Sequence, residues 1–125
     1  MKLADSCVWI EFLSSRGFGE LEDLILSGEI AVCGTVAAEV LSGVKKESEA
    51  EILKRRFASL PYLAETREVF EQSAALYRKL RKSGKNIPIS DCVIAAVCLI
   101  NEARLLTVDK HFSSFGEALL KPRKA

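Results

Sequence analysis

Four acidic residues, Asp5, Glu39, Asp91 and Asp109, stand out because each lies near the end of a short apolar run or near the start of a helical pattern. In an open parallel sheet those places share one edge, where loops and helix N-termini leave a crevice for ligands. Carboxylates gathered there repel one another and raise one another's pKa unless something positive lies between them. A divalent cation answers that need. An oxygen donor set without a histidine or thiolate cluster suits Mg2+ or Mn2+, typically held by a few carboxylates plus substrate phosphate. The chemistry this points to is phosphodiester hydrolysis, in which metal activates water and offsets charge on the attacking and leaving oxygens.

Each acid taken singly also has a local explanation. Aspartate near a helix start is favoured by capping and by the helix dipole, which suits Asp5, Asp91 and Asp109. Glu39 fits that account less well: with Thr35 as the cap, the capping-box position falls on Ala38, and Glu39 sits beside Val36, Val40 and Leu41 without a cation in its own helix. A single histidine, His111, leaves no imidazole cluster for a metal and permits a catalytic triad only if it is the base. Cys7, Cys33, Cys92 and Cys98 lie in apolar surroundings without a C-x-x-C pair, so they read as small buried hydrophobes rather than zinc or redox groups.

The elements that must position these acids alternate between short apolar runs and longer helical patterns, the mark of an α/β fold with a mainly parallel sheet. Residues 2–5 read as a strand, 6–13 as a helix, and 18–27 as a second helix stopped by Gly28. Residues 29–33 make the next strand, and Thr35 is placed to cap a helix running to Gly43. A charged helix over 45–56 and a strand over 60–63, despite Pro61, come next. The long helix over 67–82 is amphipathic, with Val69, Phe70, Ala74, Leu76, Tyr77 and Leu80 apolar. Asp91 begins a helix that is apolar nearly all round through residue 100 and so belongs in the middle of the fold. A strand over 104–107, a turn with a short helix over 108–115, and a loose tail over 121–125 complete the chain.

With 125 residues, 49% of them hydrophobic and 28% charged, the chain reads as one globular domain over residues 1–125. A formal net charge of +1 excludes a global electrostatic pull toward nucleic acid, so any such partner must be held by local patches and metal ions. Asp5 and Glu11 interrupt the first apolar run, and no stretch is long enough to cross a bilayer. The expectation is a cytoplasmic protein with no membrane association.

Four segments carry a family likeness. Asp5-Ser6-Cys7-Val8-Trp9-Ile10 is similar to Asp-(Thr/Ser)-x-(Val/Ile)-x-Ile, and Glu39-Val40-Leu41-Ser42-Gly43 to Glu-Leu-Leu-x-Gly. Asp91-Cys92-Val93-Ile94-Ala95-Ala96 is similar to Asp-x-x-Ile-Ala-Ala, and Leu105-Leu106-Thr107-Val108-Asp109-Lys110-His111-Phe112 to Leu-Leu-Thr-x-Asp-x-x-Phe. In this order and spacing they make the chain resemble the PIN-domain ribonucleases, specifically the VapC toxins of type II toxin-antitoxin pairs. The resemblance implies a Rossmann-like, three-layer α/β/α fold with a mainly parallel sheet of about four or five strands. It also implies that Asp5, Glu39, Asp91 and Asp109 converge on Mg2+ or Mn2+ to cleave RNA endonucleolytically, leaving 5'-phosphate and 3'-hydroxyl ends. The expected partners are an RNA substrate, a second copy of the chain in a homodimer, and a small VapB-like antitoxin whose tail enters the active-site groove.

The resemblance also assigns roles. Asp5 and Asp91 become metal ligands, direct or through water; Glu39 supports the metal or orients the attacking water; Asp109 completes the cluster or holds a second ion. Ser6 and Thr107 either orient these carboxylates or serve as a helix cap and a strand-end threonine. His111 is assigned to a turn or to RNA contact rather than to catalysis, Glu11 to the periphery, and Trp9 and Phe12 to packing. Arg78, Lys79, Arg81, Lys82 and Lys85 read as the charged outer face of a helix, with RNA contact as the alternative. Two rival functions remain: a PIN-like module that binds RNA or protein without turnover, and a phosphoacceptor receiver domain. The first sits poorly with four intact acids. The second needs an aspartate closing the third strand, where Ala64 stands.

Overall fold

The computed structural model describes residues 1–14 and 19–116, so the tail over 121–125 lies outside the described residues. Strand β1 (Lys2–Ala4) runs between β2 (Ile30–Ala31) and β3 (Arg104–Leu106), all parallel, in the order β2-β1-β3. Leu3, Ala4, Ile30, Ala31, Leu105 and Leu106 are wholly buried, as expected where both faces of a parallel sheet are covered by helices. The described residues contain three strands, fewer than the four or five expected. Residues 60–63 contribute one parallel bridge, Val32 to Tyr62, instead of a strand. Pro61 has no N–H to extend the ladder, so pairing is limited to two hydrogen bonds of 2.9 Å, Val32 N–H to the Pro61 carbonyl and Leu63 N–H to the Val32 carbonyl.

Helices α1 (Ser6–Leu13), α2 (Gly19–Leu26), α3 (Gly34–Ser42), α4 (Glu47–Ala58), α5 (Arg67–Lys82) and α6 (Ile89–Ile100) flank this sheet in a three-layer α/β/α arrangement, and a 3-10 helix (Lys110–Phe115) follows β3. Helix α6 is buried from Asp91 through Cys98, where it meets β3, α3 and α5. On α5 the buried residues are Val69, Ser73 and Leu80, while Phe70, expected on the apolar face, is 52% exposed. A four-residue step from Val69 lands on Ser73, and its hydroxyl becomes tolerable inside by donating to the Val69 carbonyl at 2.7 Å. Trp9 packs edge-on against Phe12 and Phe57, with centroids 5.9 and 5.1 Å apart.

Helix α3 carries Glu39, and its start differs from expectation. Cys33 is the N-cap residue, with no side-chain cap bond, and Thr35 lies within the first turn rather than before it. The missing cap comes from far along the chain: Glu65 accepts the Thr35 backbone N–H at 2.6 Å and the Thr35 hydroxyl at 2.9 Å. A carboxylate at a helix start satisfies an orphan N–H and meets the positive end of the dipole. Gly34 lets the chain approach this closely, since a Cβ there would stand 3.1 Å from the Tyr62 hydroxyl. Glu65→Ala is expected to cost about 1–2 kcal/mol of stability, the range for a lost N-cap, with Glu65→Gln losing less. Urea unfolding monitored by circular dichroism measures this, and an unchanged midpoint in Glu65→Ala would show that water replaces the cap.

Candidate metal centre

The register of the sheet builds the first half of the site. Ala4 pairs with Leu106, so the next residues, Asp5 and Thr107, emerge side by side at the carboxyl edge between β1 and β3. The Asp5 N–H donates to the Leu106 carbonyl at 2.9 Å, which holds the backbone in line past the strand end. This is where the strand order reverses direction, the usual place for a crevice in an open α/β sheet. Asp5 is only 3% exposed, and its Oδ2 accepts hydrogen bonds from the Thr107 hydroxyl at 3.1 Å and the Cys7 thiol at 3.3 Å. Its Oδ1 accepts the Ser6 backbone N–H at 2.8 Å.

These contacts separate the alternatives left by the sequence. Asp5 itself is the N-cap residue of α1, which removes the capping reading of Ser6. The Asp5 carboxylate bonds the N–H of the very next residue, whereas a capping side chain reaches the second or third helical N–H. Asp5 therefore serves both readings, Oδ1 at the helix start and Oδ2 turned to Thr107 and Cys7. Thr107 does more than close a strand, because its oxygen also accepts the Asp109 N–H at 3.0 Å and so ties Asp109 to Asp5. Cys7 departs from the buried-hydrophobe reading: it is half-buried, with its thiol on a site carboxylate. Cys33 and Cys98 keep that reading, since burial pushes both thiols up to about 12.

Asp91 and Asp109 form the second half. Asp91 lies in the first turn of α6, without a side-chain cap bond at the N-cap residue Pro88, and is 9% exposed. Asp109 is the N-cap of the 3-10 helix, its Oδ1 accepting the His111 N–H at 2.9 Å. That turn swings the His111 ring into the acids, with Nδ1 3.0 Å from Asp91 Oδ2 and 3.5 Å from Asp109 Oδ1. One ligand atom from each of Asp91, Asp109 and His111 lies within 4.8 Å of the others. The sequence reading sets His111 on a turn or against RNA, whereas it lies in the 3-10 helix with its ring at the acids. The available signal was its position two residues after Asp109, where an aspartate-capped turn brings the side chain back over the cap.

Glu39 reaches the same cluster from α3. Its Oε1 is buried with no hydrogen-bond partner, and burial is the largest influence holding its carboxyl above the ordinary range. Repulsion from Asp5, Asp91 and Asp109 adds to this, with the nearby Ser6 side chain opposing. Asp5 is likewise raised, chiefly by burial, with its three hydrogen bonds opposing. Asp91 is raised by burial and by Asp109 and Asp5, with His111 opposing. A buried carboxylate oxygen without a donor, surrounded by other acids, is the arrangement a cation would complete. The residues present fit a divalent ion: Asp91, Asp109 and His111 lie close enough to share one, and Asp5 and Glu39 feel the charges of the same acids beside them.

These shifts link the site to stability. Acids harder to ionise in the folded chain leave it holding more protons than the unfolded chain, so stability falls as pH rises from the ordinary values of 3.8 for Asp and 4.5 for Glu through the raised ones. In chelator-treated protein, Asp5→Asn is expected to raise the melting midpoint at pH 7, with the gain vanishing as pH falls to about 4. Scanning calorimetry across that range checks the sign. A gain that grew toward acid pH would contradict it.

Comparison with known proteins agrees with the geometry. The sequence profile of the PIN domain matches residues 2–118, a span that contains all four acids. VapC ribonuclease Mb1587 of Mycobacterium bovis is 32% identical over 119 residues, covering 90% of this chain and 89% of that protein. Ribonuclease VapC19 of Mycobacterium tuberculosis is 33% identical over 121 residues, covering 94% and 96%. A toxin-antitoxin complex from Klebsiella pneumoniae superposes over 100% of both chains with a TM-score of 0.80 at 19% identity, a likeness of fold. No place is left for a receiver domain: the chain belongs to the PIN-domain family, among the VapC proteins.

Proposed function

We propose that the chain is an endoribonuclease that hydrolyses RNA phosphodiester bonds with Mg2+ or Mn2+, and that it is the toxin of a VapBC-type toxin-antitoxin pair. The observation that carries this reading is the gathering of Asp5, Glu39, Asp91 and Asp109 at the carboxyl edge of the sheet, three of them with raised pKa. The names of the mycobacterial relatives, both ribonucleases, support the activity. A divalent ion held by these acids would supply charge neutralisation at the phosphate and make water a stronger nucleophile at neutral pH.

The rest falls to the chain's own residues. Asp5 and Asp91 are the principal ligands, with Asp109 completing the donor set. Thr107 and the Ser6 N–H fix the Asp5 carboxylate, so no reorganisation is needed when the phosphate arrives. Glu39 supports the metal or orients the attacking water, its unpartnered buried oxygen being free for either.

A VapB-like antitoxin is the proposed protein partner, supported by the Klebsiella pneumoniae structure, which is of a toxin-antitoxin complex. Ile10, Leu13 and Ile52, each roughly half exposed, border adjoining apolar grooves that a partner would cover. A cytoplasmic homodimer is the proposed assembly. Among the described residues no helix is long and apolar enough to cross a membrane.

Purified protein with Mn2+ is expected to cut RNA to products with 5'-phosphate ends. Asp5→Asn and Asp91→Asn are each expected to slow cleavage on the order of a hundredfold or more while circular dichroism stays native. Wild-type rates in both variants would overturn the site. RNA binding without cleavage by the wild type would instead leave a binding module.

A further inference from the structure

We propose that His111 is a nitrogen ligand to the cation of this site, so that the centre is a mixed carboxylate and imidazole one that favours Mn2+ and later transition ions over Mg2+. This rests on reading the acids as a metal site. It adds a residue type that an all-oxygen cluster lacks.

The ring is held in place from both sides. Asp109 Oδ1 accepts the His111 backbone N–H at 2.9 Å, and the next residue, Phe112, is 1% exposed in the core, with its ring 5.9 Å from that of Phe115. With backbone and neighbour both anchored, Nδ1 is brought to 3.0 Å from Asp91 Oδ2 and 3.5 Å from Asp109 Oδ1. An octahedral ion with bonds of about 2.1 Å keeps adjacent ligand atoms about 3 Å apart. The Nδ1 distances to the two carboxylates are close to that spacing, and one ligand atom from each of the three residues lies within 4.8 Å of the others.

The chemistry of the ring allows both arrangements. With its proton on Nδ1, the imidazole donates to Asp91; with the proton on Nε2, the same nitrogen offers a lone pair to a cation shared with the two carboxylates. The side chain is 48% exposed, which leaves room for water on the ring beside the carboxylates. Such a nitrogen donor discriminates between ions. Mg2+ takes oxygen ligands and keeps its waters, whereas affinity for nitrogen donors rises along the first-row series from Mn2+ upward. A glutamine in place of His111 keeps a hydrogen-bonding group near Asp91 but removes the nitrogen lone pair.

Pulsed electron paramagnetic resonance of the Mn2+-loaded full chain is expected to show coupling to a directly bound 14N nucleus, and His111→Gln is expected to lose it. Titration calorimetry should then show Mn2+ affinity lowered about tenfold or more in His111→Gln, Co2+ affinity lowered further, and Mg2+ affinity changed less than about twofold. Mn2+ binding to wild type without nitrogen coupling would overturn the proposal, as would equal losses for Mn2+ and Mg2+. The Asp5→Asn and Asp91→Asn proteins separate this from the underlying reading. Mn2+ affinity that falls in both while His111→Gln matches wild type keeps the carboxylate site and rejects the histidine ligand. Mn2+ affinity unchanged by all three substitutions rejects both.

Discussion

The hydrogen bond from Thr107 to Asp5, 3.1 Å long and joining residues 102 apart in sequence, is the contact on which the rest of the site depends. It exists because β1 and β3 pair in one register, Ala4 beside Leu106. A slip of one residue would turn the side chains of one strand to the opposite face and separate the two groups. Through the same Thr107 oxygen the Asp109 backbone is fixed, and through Asp109 the 3-10 helix and His111. The pairing of two three-residue strands thus sets the positions of Asp5, Asp109 and His111.

The acids are held by neutral donors and one imidazole. Asp5 is bound by a backbone N–H, a hydroxyl and a thiol. Lys54 pairs with Glu51 on the surface, and the His111 ring nitrogen lies 3.0 Å from Asp91 and 3.5 Å from Asp109. No lysine or arginine in those pairs offsets the charge of the cluster. Neutral donors fix geometry without cancelling the negative field, so the fold carries a carboxylate cluster that works against its own stability at neutral pH. Functional sites commonly concentrate this kind of penalty, because a group already satisfied by its own protein has little left for a ligand. Glu39, with one buried oxygen unpartnered, is the clearest instance.

The parts legible from residues alone were those governed by local periodicity. Helices α1 and α5 begin and end where patterning places them, and α6, apolar on every side, occupies the interior. The same patterning set Val69, Leu76, Tyr77 and Leu80 on the inward face of α5, where they lie, but added the exposed Phe70 and Ala74 and left out Ser73, which a bond to its own helix lets into the core. It overstated the strand at residues 60–63, where the ladder depends on an N–H that Pro61 lacks. The start of α3 was misread for a related reason. The group that completes it, Glu65, lies 30 residues from Thr35 and leaves no local trace.

What the sequence by itself determined was the identity of the four acids and their places at the ends of strands and the starts of helices. Residue type and spacing carry that information, since hydrophobic period and helix-start chemistry are local. Only the tertiary structure decided which groups touch. It turned one oxygen of Asp5 to Thr107 while the other stays at the helix start, made Thr107 a bridge, left a Glu39 oxygen without a donor, and brought His111 against Asp91. Those contacts arise from strand register and helix packing between distant segments. Burial and mutual repulsion, which raise the acids and create the need for a cation, exist only once those segments have come together.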